Sequence, residues 1–226
     1  LAVNSATLSW TSSASEFSVV VKDAANTVVI DEAGINANSY DLSGLESNTV
    51  YTATVTSICG GIESEADETT SITFRTPCVA ITEDMLPITW DFESDNTVGS
   101  LSYPLPSCWQ RVTANNNPYV YNYYPYQGSK CLYFTGGNDG MAVMREIDAS
   151  LPVNSLQLTF YAKKTYSYYT GSLNIGVMTD PTDKTTFTSV ETIDLTSDYT
   201  KYEIVLNGYE GTGTYIAFSV TSNNSA

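Results

Sequence analysis

The sequence predicts an all-β protein made of two tandem domains. Its 226 residues are enough for two ordinary domains, each with a core of its own. Short runs of alternating apolar and polar residues, separated by turn residues, recur along the chain and indicate strands with one buried face. Tyrosine is abundant, with 17 residues, and the sequence has neither heptads nor an apolar run of membrane-spanning length. No helix longer than a turn or two is expected.

The charge balance restricts the partners of this chain. It holds 25 acidic residues against 9 basic ones, a formal net charge of −16. Nucleic acid and anionic membrane surfaces would repel such a protein, so we expect no nucleic-acid partner and no membrane insertion within this sequence. The acidity is typical of a soluble exported protein, and it also allows carboxylates to gather around a hard cation such as calcium.

The cysteines indicate the cellular compartment. The chain has four of them, with no histidine and no CxxC spacing, which disfavours a zinc or thiol-based site. Their positions suggest two disulfides, Cys59 with Cys78 and Cys108 with Cys131, one in each domain. Paired cysteines predict an oxidising location: secreted, periplasmic or on the cell surface. Because the sequence shows no signal peptide, we expect it to be a processed segment of an exported bacterial protein.

The first 78 residues contain short strand-like runs at the spacing typical of a β-sandwich. Trp10 is expected in the core. Leu45, followed by Thr49 and Tyr51, has the pattern of a tyrosine corner, in which the phenol bonds back to the backbone at the turn into a long strand. The predicted strands are 6–10, 16–23, 26–31, 38–42, 49–59 and 70–76.

These runs resemble the fibronectin type III family. The resemblance rests on ATLSW near the start, SYDLSGLESNTVYTATVTSIC through the corner and SITFRTPC at the close, and it covers residues 1–78. The first strand of that family is short or missing in this sequence. The resemblance implies a spacer or a binding module without catalytic residues.

Pro77 marks the end of the first domain, because proline fixes its own φ and cannot donate to a sheet ladder. The second domain is expected to cover residues 79–226, and its strand-like runs suggest a two-sheet jelly roll. The alternation is clearest at Leu158, Phe160 and Ala162, which predicts one buried face. The predicted strands are 88–93, 108–112, 130–136, 141–148, 155–164, 171–180, 186–195, 200–208 and 213–221.

This second part resembles the jelly-roll adhesin domains of Bacteroidetes surface proteins, relatives of the cleaved-adhesin, choice-of-anchor and MAM-like group. The resemblance rests on WDFES, CWQRV, CLYF, GVMTDPTD, KYEIVLNGYEG and GTYIAFSV, and it spans residues 80–226. It implies an extracellular adhesion or glycan-binding module, frequently with structural calcium. Members of that group commonly finish with a further strand carrying an acidic pair, which residues 221–226 do not supply.

Catalysis has little support in the sequence. Without histidine, neither a Ser-His-Asp nor a Cys-His arrangement can form. A glycosidase needs two carboxylates facing each other across a cleft, and the nearest-looking pair is Asp91 and Glu93. On the predicted strand 88–93 these two share a face, so they would more naturally chelate a cation than divide acid and base roles. We therefore expect no enzymatic activity.

Calcium is the one cofactor that the sequence suggests. The candidate ligands are Glu93, Asp95 and Asp139, hard oxygen donors on loops where glycine permits a tight path. Aspartate in such turns also serves turn chemistry alone, and this alternative stays open. Asp180 and Asp183 have the same ambiguity, and there we expect an Asx-turn ahead of Pro181.

Binding has the strongest support, from the segment between Cys108 and Cys131. We expect a long connection between two strands, closed at its base by a disulfide. Exposed tyrosine rings stack on the apolar faces of sugars, and amide side chains bind their hydroxyl groups. The same tyrosines would also suit a protein interface, or they pack over the end of the core. The candidate ligand-binding residues are Tyr119, Tyr121, Asn122, Tyr123, Tyr124 and Tyr126, with Tyr166, Tyr168 and Tyr169 expected on the same rim.

Together these features predict an adhesin-like binding module, outside the cell or on its surface, that recognises glycans or host surface or matrix proteins. The alternative is an accessory carbohydrate-binding region of a larger secreted hydrolase.

Overall fold

The computed structural model confirms the all-β fold class. The helical elements of the described residues are 3-10 turns of three residues each, and none of them is long and apolar enough to cross a membrane. The chain divides into two compact units, Leu1–Val79 and Ala80–Ala226. The structure describes residues 1–59, 61–63, 71–93, 104–112, 117–135, 140–166 and 171–222.

The first unit is built from two antiparallel sheets. β1 pairs with β4 in one sheet, and β3, β2, β5 and β7 lie side by side in the other, with β6 also pairing with β5. Leu8 and Leu42 from the first sheet pack against Val19, Val21 and Ala53 from the second. The strands are β1 (Ser5–Ser9), β2 (Phe17–Asp23), β3 (Val28–Ile35), β4 (Ser39–Ser43), β5 (Val50–Cys59), β6 (Ile62–Glu63) and β7 (Ser71–Arg75).

The predicted tyrosine corner is present in this sandwich. The Glu46 backbone N–H donates to the Tyr51 hydroxyl at 2.9 Å, while the Tyr51 ring is buried beside Phe74. Trp10 packs edge-on against Phe17, with ring centroids 5.3 Å apart, and lies partly buried at the border of the core. Tyr51 is the second residue of β5, and its hydroxyl is bonded to the backbone of Glu46 before the strand. The corner therefore fixes the path of the chain as it enters β5.

The second unit packs a pair of strands over a larger antiparallel sheet. The larger sheet has the order β14-β13-β16-β11-β8, and β12 pairs with β15. Ile175 and Ile216 of the larger sheet share a core with Ile204 and Leu206, with Phe160 of β12 packed against them. The strands are β8 (Gln110–Arg111), β9 (Tyr119–Tyr121), β10 (Cys131–Tyr133), β11 (Met141–Val143), β12 (Gln157–Ala162), β13 (Gly171–Met178), β14 (Thr188–Asp194), β15 (Thr200–Val205) and β16 (Tyr215–Ser222).

The structure corrects the predicted strand 88–93, since no strand forms there. Phe92 has a left-handed backbone with φ 65°, and the Asp91 carboxylate accepts a hydrogen bond from the Glu93 backbone N–H at 3.0 Å. An Asx-turn of this kind interrupts an extended backbone. The apolar residues Ile88 and Trp90 of the segment are nevertheless partly buried against the core, and Trp90 packs edge-on against the buried Trp109 at 5.5 Å.

The predicted disulfide between Cys108 and Cys131 is wrong. Cys108 is disulfide-bonded, whereas Cys131 is a free thiol. Cys131 lies on β10 opposite Tyr121, and its thiol donates to the Tyr123 carbonyl oxygen at 3.2 Å. Cys78 is also disulfide-bonded, and the side chain of Cys59, its predicted partner, lies outside the described residues. The chain thus contains a disulfide, but the tyrosine-rich segment is not closed by one.

Candidate functional site

The tyrosine-rich segment forms a short β-hairpin in the second unit, where we expected a long connection between two strands. β9 and β10 pair antiparallel, with Tyr119 opposite Tyr133 and Tyr121 opposite Cys131. Val120 points into the protein and is buried. Because side chains alternate along a strand, Tyr119 and Tyr121 lie on the other face.

Cross-strand contacts hold the rings on that face together. The Tyr133 ring centroid lies 5.7 Å from that of Tyr119 and 5.2 Å from that of Tyr121. Tyr123, in the turn of the hairpin, stacks on Tyr121 at 5.6 Å. Aromatic pairs of this kind stabilise a two-stranded ladder that has little regular hydrogen bonding of its own. The hairpin therefore presents its tyrosines as a packed row.

Tyr124 adopts an unusual backbone conformation within the turn. Its φ is 62°, in the left-handed region that bulky residues rarely occupy. The Tyr199 hydroxyl donates a hydrogen bond to the Tyr124 carbonyl oxygen, and the Tyr124 hydroxyl lies 3.3 Å from that of Tyr166. These contacts from two other segments keep Tyr124 in its strained conformation, and they fix the direction of its ring.

The neighbouring strand pair β12–β15 contributes the rest of the surface. Tyr126 stacks face to face on Tyr161 of β12, with ring centroids 3.9 Å apart, and lies 5.2 Å from the ring of Tyr199 just before β15. We call this continuous group of rings the tyrosine surface. It consists of Tyr119, Tyr121, Tyr123, Tyr124, Tyr126, Tyr133, Tyr161, Tyr166 and Tyr199.

A cation lies within this surface. The Lys163 ammonium nitrogen is 5.7 Å from the centroid of the Tyr124 ring and 5.0 Å from that of the Tyr199 ring. Both distances fall within the range of cation–π attraction. The side chain of Lys163 is half-buried, so its charge stands among aromatic rings rather than in open solvent.

Glu93 anchors the base of the hairpin turn. One of its carboxylate oxygens accepts the backbone N–H groups of Ser129 and Lys130 at 2.6 and 2.7 Å, and the other accepts the Ser129 hydroxyl at 2.5 Å. Gly128 makes this approach possible, because a Cβ atom there would stand 2.5 Å from the carboxylate. The hydrogen bonds from Ser129, followed by the weaker effect of Lys130, lower the pKa of Glu93.

Two tyrosine hydroxyls of the surface, those of Tyr124 and Tyr199, have raised pKa values. The hydroxyl of Tyr166 raises the pKa of Tyr124 to about 12, and burial raises the pKa of Tyr199 to about 12. Burial likewise raises the pKa of the Cys131 thiol to about 11. Near neutral pH these groups are uncharged hydrogen-bonding groups, with Lys163 as the cation among them.

Most of the predicted binding residues lie in the tyrosine surface, which also contains residues that the sequence did not predict. Tyr166 meets Tyr124, as expected for a shared rim, and Asn122 is exposed in the turn; Tyr168 and Tyr169 lie outside the described residues. Sequence reasoning missed Tyr133, Tyr161, Tyr199 and Lys163. For two of them a signal existed: in the alternation of β12, Phe160 and Ala162 face the core, which leaves Tyr161 and Lys163 on the solvent face.

The calcium prediction is not tested by the structure. Asp95 and Asp139 lie outside the described residues, and the Glu93 oxygens accept protein hydrogen bonds. Within the described ranges, no group of three or more acidic, cysteine or histidine side chains could hold a metal ion. Asp180 has the expected turn role, since its carboxylate accepts the Thr182 backbone N–H at 2.8 Å.

Asp91 and Glu93, the candidate carboxylate pair of a glycosidase, do not share the face of a strand as the sequence predicted. The Asp91 carboxylate caps the Glu93 backbone instead. Glu93 in turn accepts three hydrogen bonds from the hairpin. Both carboxylates are therefore engaged in holding local structure.

Comparison with known proteins assigns no family. No family model matches the sequence, and no curated protein matches it. Among solved structures, a chain described as a myokine is 28% identical with a TM-score of 0.30, and the alignment covers 34% of this chain and 86% of the other. The fn3 domain of human collagen alpha-1(XX) is 23% identical with a TM-score of 0.31, over 36% of this chain and 80% of that domain.

Two further similarities cover nearly the whole chain. The N-terminal CBM22-1-CBM22-2 tandem domain of Xyn10C from Paenibacillus barcinonensis is 12% identical with a TM-score of 0.37, over 99% of this chain and 72% of that one. A chitinase from Bacillus thuringiensis is 13% identical with a TM-score of 0.27, over 99% of this chain and 25% of that one. These similarities are too low to assign a function to this chain.

Proposed function

We propose that this chain is an extracellular binding module and that the tyrosine surface of its second unit binds a glycan. One observation carries the proposal: rings from the hairpin and from β12 converge into one surface and yet remain open to solvent. Tyr123 is 59% exposed, and Tyr126, Tyr161 and Tyr166 are 44%, 42% and 43% exposed. Rings that served only to cover a core would be more deeply buried.

The chemistry of the surface suits sugars. A pyranose ring has C–H faces that stack on aromatic rings, while its hydroxyl groups need directional hydrogen-bond partners. The exposed rings provide the apolar faces. Asn122 and Gln127 are exposed beside them in the same turn, and their amide groups both donate and accept hydrogen bonds.

The rings are also held in place before a ligand arrives. Tyr126 is fixed by its stack on Tyr161, and Tyr123 by its stack on Tyr121. Tyrosine has few rotatable bonds, so fixing it costs little entropy and leaves more of the contact energy for binding. A preorganised platform of this kind favours recognition over a merely structural role.

Glycan arrays followed by isothermal titration calorimetry test the proposal. Tyr123→Ala and Tyr126→Ala are each expected to weaken glycan binding about fivefold or more, because stacking on one ring contributes on the order of 1 kcal/mol or more. Val205→Ala is the matched control, since Val205 is 50% exposed on β15 and outside the tyrosine surface. If no array glycan binds, or if both tyrosine variants bind as the native protein does, the proposal fails.

The biological role of this binding module depends on the domains that accompany it in the full-length protein. We propose an adhesin-like module on the cell surface, with an accessory region of a secreted hydrolase as the alternative. A neighbouring catalytic domain in the full-length reading frame would favour the accessory role, whereas an anchor signal alone would favour adhesion. Pull-downs against host matrix proteins, with the same variants, test for a protein ligand. If a matrix protein binds and the tyrosine variants lose it, the ligand of the tyrosine surface is a protein rather than a glycan.

A further inference from the structure

Lys163 is the starting point, because its charge is placed within the tyrosine surface rather than beside it. The residue follows Ala162, the last residue of β12, and shares the solvent face of that strand with Tyr161 by alternation. Its ammonium group lies over the rings of Tyr124 and Tyr199. The rings hold the long side chain in one position, which a free lysine on a surface does not keep.

Lys163 differs in its partners from two other lysines of the second unit. Lys201 pairs with Glu203, and the Lys130 ammonium donates to the Glu93 carbonyl oxygen at 3.2 Å. Lys163 makes no such pair with any residue of the described ranges. In a chain with 25 acidic residues against 9 basic ones, this arrangement leaves a positioned cation with hydrogen-bond donors to spare.

We propose that the glycan bound by the tyrosine surface is acidic, and that Lys163 binds a carboxylate of the sugar. This inference rests on the proposed glycan binding and names its substrate class: a uronic acid or a sialic acid residue. The sugar ring stacks on the exposed tyrosines while its carboxylate accepts hydrogen bonds from the ammonium group. A charge-assisted hydrogen bond of this kind is stronger than the contacts that neutral hydroxyls make.

The net charge of the protein bears on its expected preference for acidic over neutral sugars. At −16 overall, the chain repels anions at long range. Attraction to an acidic sugar must therefore come from a local contact, and Lys163 supplies it. Removing that one charge is then expected to abolish the preference for acidic sugars while leaving the stacking contacts in place.

The test compares matched pairs of ligands by isothermal titration calorimetry. The pairs are oligogalacturonate with its methyl ester, and sialyllactose with its methyl ester; in each pair the sugars have the same rings and differ only in whether the carboxyl group is charged. We expect the native protein to bind at least one acidic member about tenfold more tightly than its neutral partner. The pair that shows the difference separates uronic from sialic acid.

Two variants make the result specific to Lys163. Lys163→Met, which keeps the apolar stem, is expected to lose the tenfold preference and to retain binding of the neutral sugar. Lys164→Met is the matched control, because Lys164 is half-buried at the next position and lies over none of the described rings. It should keep the preference.

The outcomes separate this inference from the proposed function. If both members of each pair bind equally and Lys163→Met changes nothing, the acidic class is wrong and glycan binding stands. If Lys164→Met removes the preference as fully as Lys163→Met, the assignment to Lys163 is wrong. If neither member of either pair binds, and the glycan array is also empty, glycan binding itself fails and the inference fails with it.

Discussion

Tyr126 and Tyr161 stack face to face, with ring centroids 3.9 Å apart and ring planes inclined by 11°. Tyr126 belongs to the turn between β9 and β10, whereas Tyr161 lies on β12, which pairs with β15. The stack therefore attaches the hairpin to the neighbouring strand pair. It makes one surface out of two elements that share no backbone hydrogen-bond ladder in the described chain.

Replacing Tyr161 tests this attachment. Tyr161→Ala is expected to destabilise the second unit by about 1 kcal/mol and to weaken glycan binding, because Tyr126 loses the ring that positions it. Thermal unfolding and calorimetric titration measure the two effects. Tyr161→Phe keeps the ring and should preserve both properties. Equal damage by the alanine and phenylalanine variants would show that the hydroxyl, rather than the stacked ring, is what matters.

Glu93 is expected to hold the turn of the hairpin in a pH-dependent way. Because its folded-state pKa is lowered from 4.5, the stabilisation that it provides is present above that value and is lost as the pH falls through the folded pKa. Protection of the Ser129 and Lys130 amides from hydrogen exchange should therefore fall in acid. In Glu93→Ala these two amides should exchange rapidly at every pH. Unchanged protection in the variant would remove Glu93 as the anchor.

Glu93 is also one of the calcium ligands predicted from the sequence. Calcium is added to chelator-treated protein, and the melting temperature and the heat of binding are measured. If Glu93 is a ligand as the sequence predicts, calcium raises the melting temperature in the native protein and has no effect in Glu93→Ala. Absence of both heat and stabilisation in the native protein would end the calcium prediction.

Cys131 is expected to react as a partly buried free thiol. Under non-reducing conditions, iodoacetamide should label Cys131 and leave Cys78 and Cys108 unlabelled, since these two are disulfide-bonded. The reaction should be slow near neutral pH, because a pKa of about 11 leaves little thiolate. Peptide mapping by mass spectrometry locates the label. Labelling of Cys108 before reduction would contradict the disulfide assignment.

Ionisation of the tyrosines is expected to destabilise the protein in strong alkali. Tyr124, Tyr199 and Tyr215 have pKa values of about 12, above the ordinary value of 10.0. A raised pKa means that the folded state favours the protonated phenol, so its contribution to stability is complete below about pH 10 and is lost as the pH rises through 12. Ultraviolet titration should show a part of the tyrosine ionisation only near pH 12. A single transition at the ordinary tyrosine pKa would contradict the buried, hydrogen-bonded environments.

The local features of the fold were predictable from the sequence. The tyrosine corner at Tyr51 and the turn at Asp180 were both found, because each depends on residues close together in the chain. The strand of β12 was found from its alternation. The predicted strand 88–93 failed for an equally local reason: the Asx-turn at Asp91 outweighed an apolar run.

The all-β class, most strand positions and the unusual tyrosine-rich segment could be predicted from the sequence, since strand period and turn chemistry are properties of neighbouring residues. Three features required the three-dimensional arrangement: this segment is a hairpin, Cys131 in it is a free thiol, and Tyr161, Tyr199 and Lys163 complete its surface. These outcomes depend on how β9–β10 and β12–β15 come together, and pairing between distant segments leaves no pattern within either one. The residues proposed to select the ligand could therefore be identified only from the packing of β9–β10 against β12–β15.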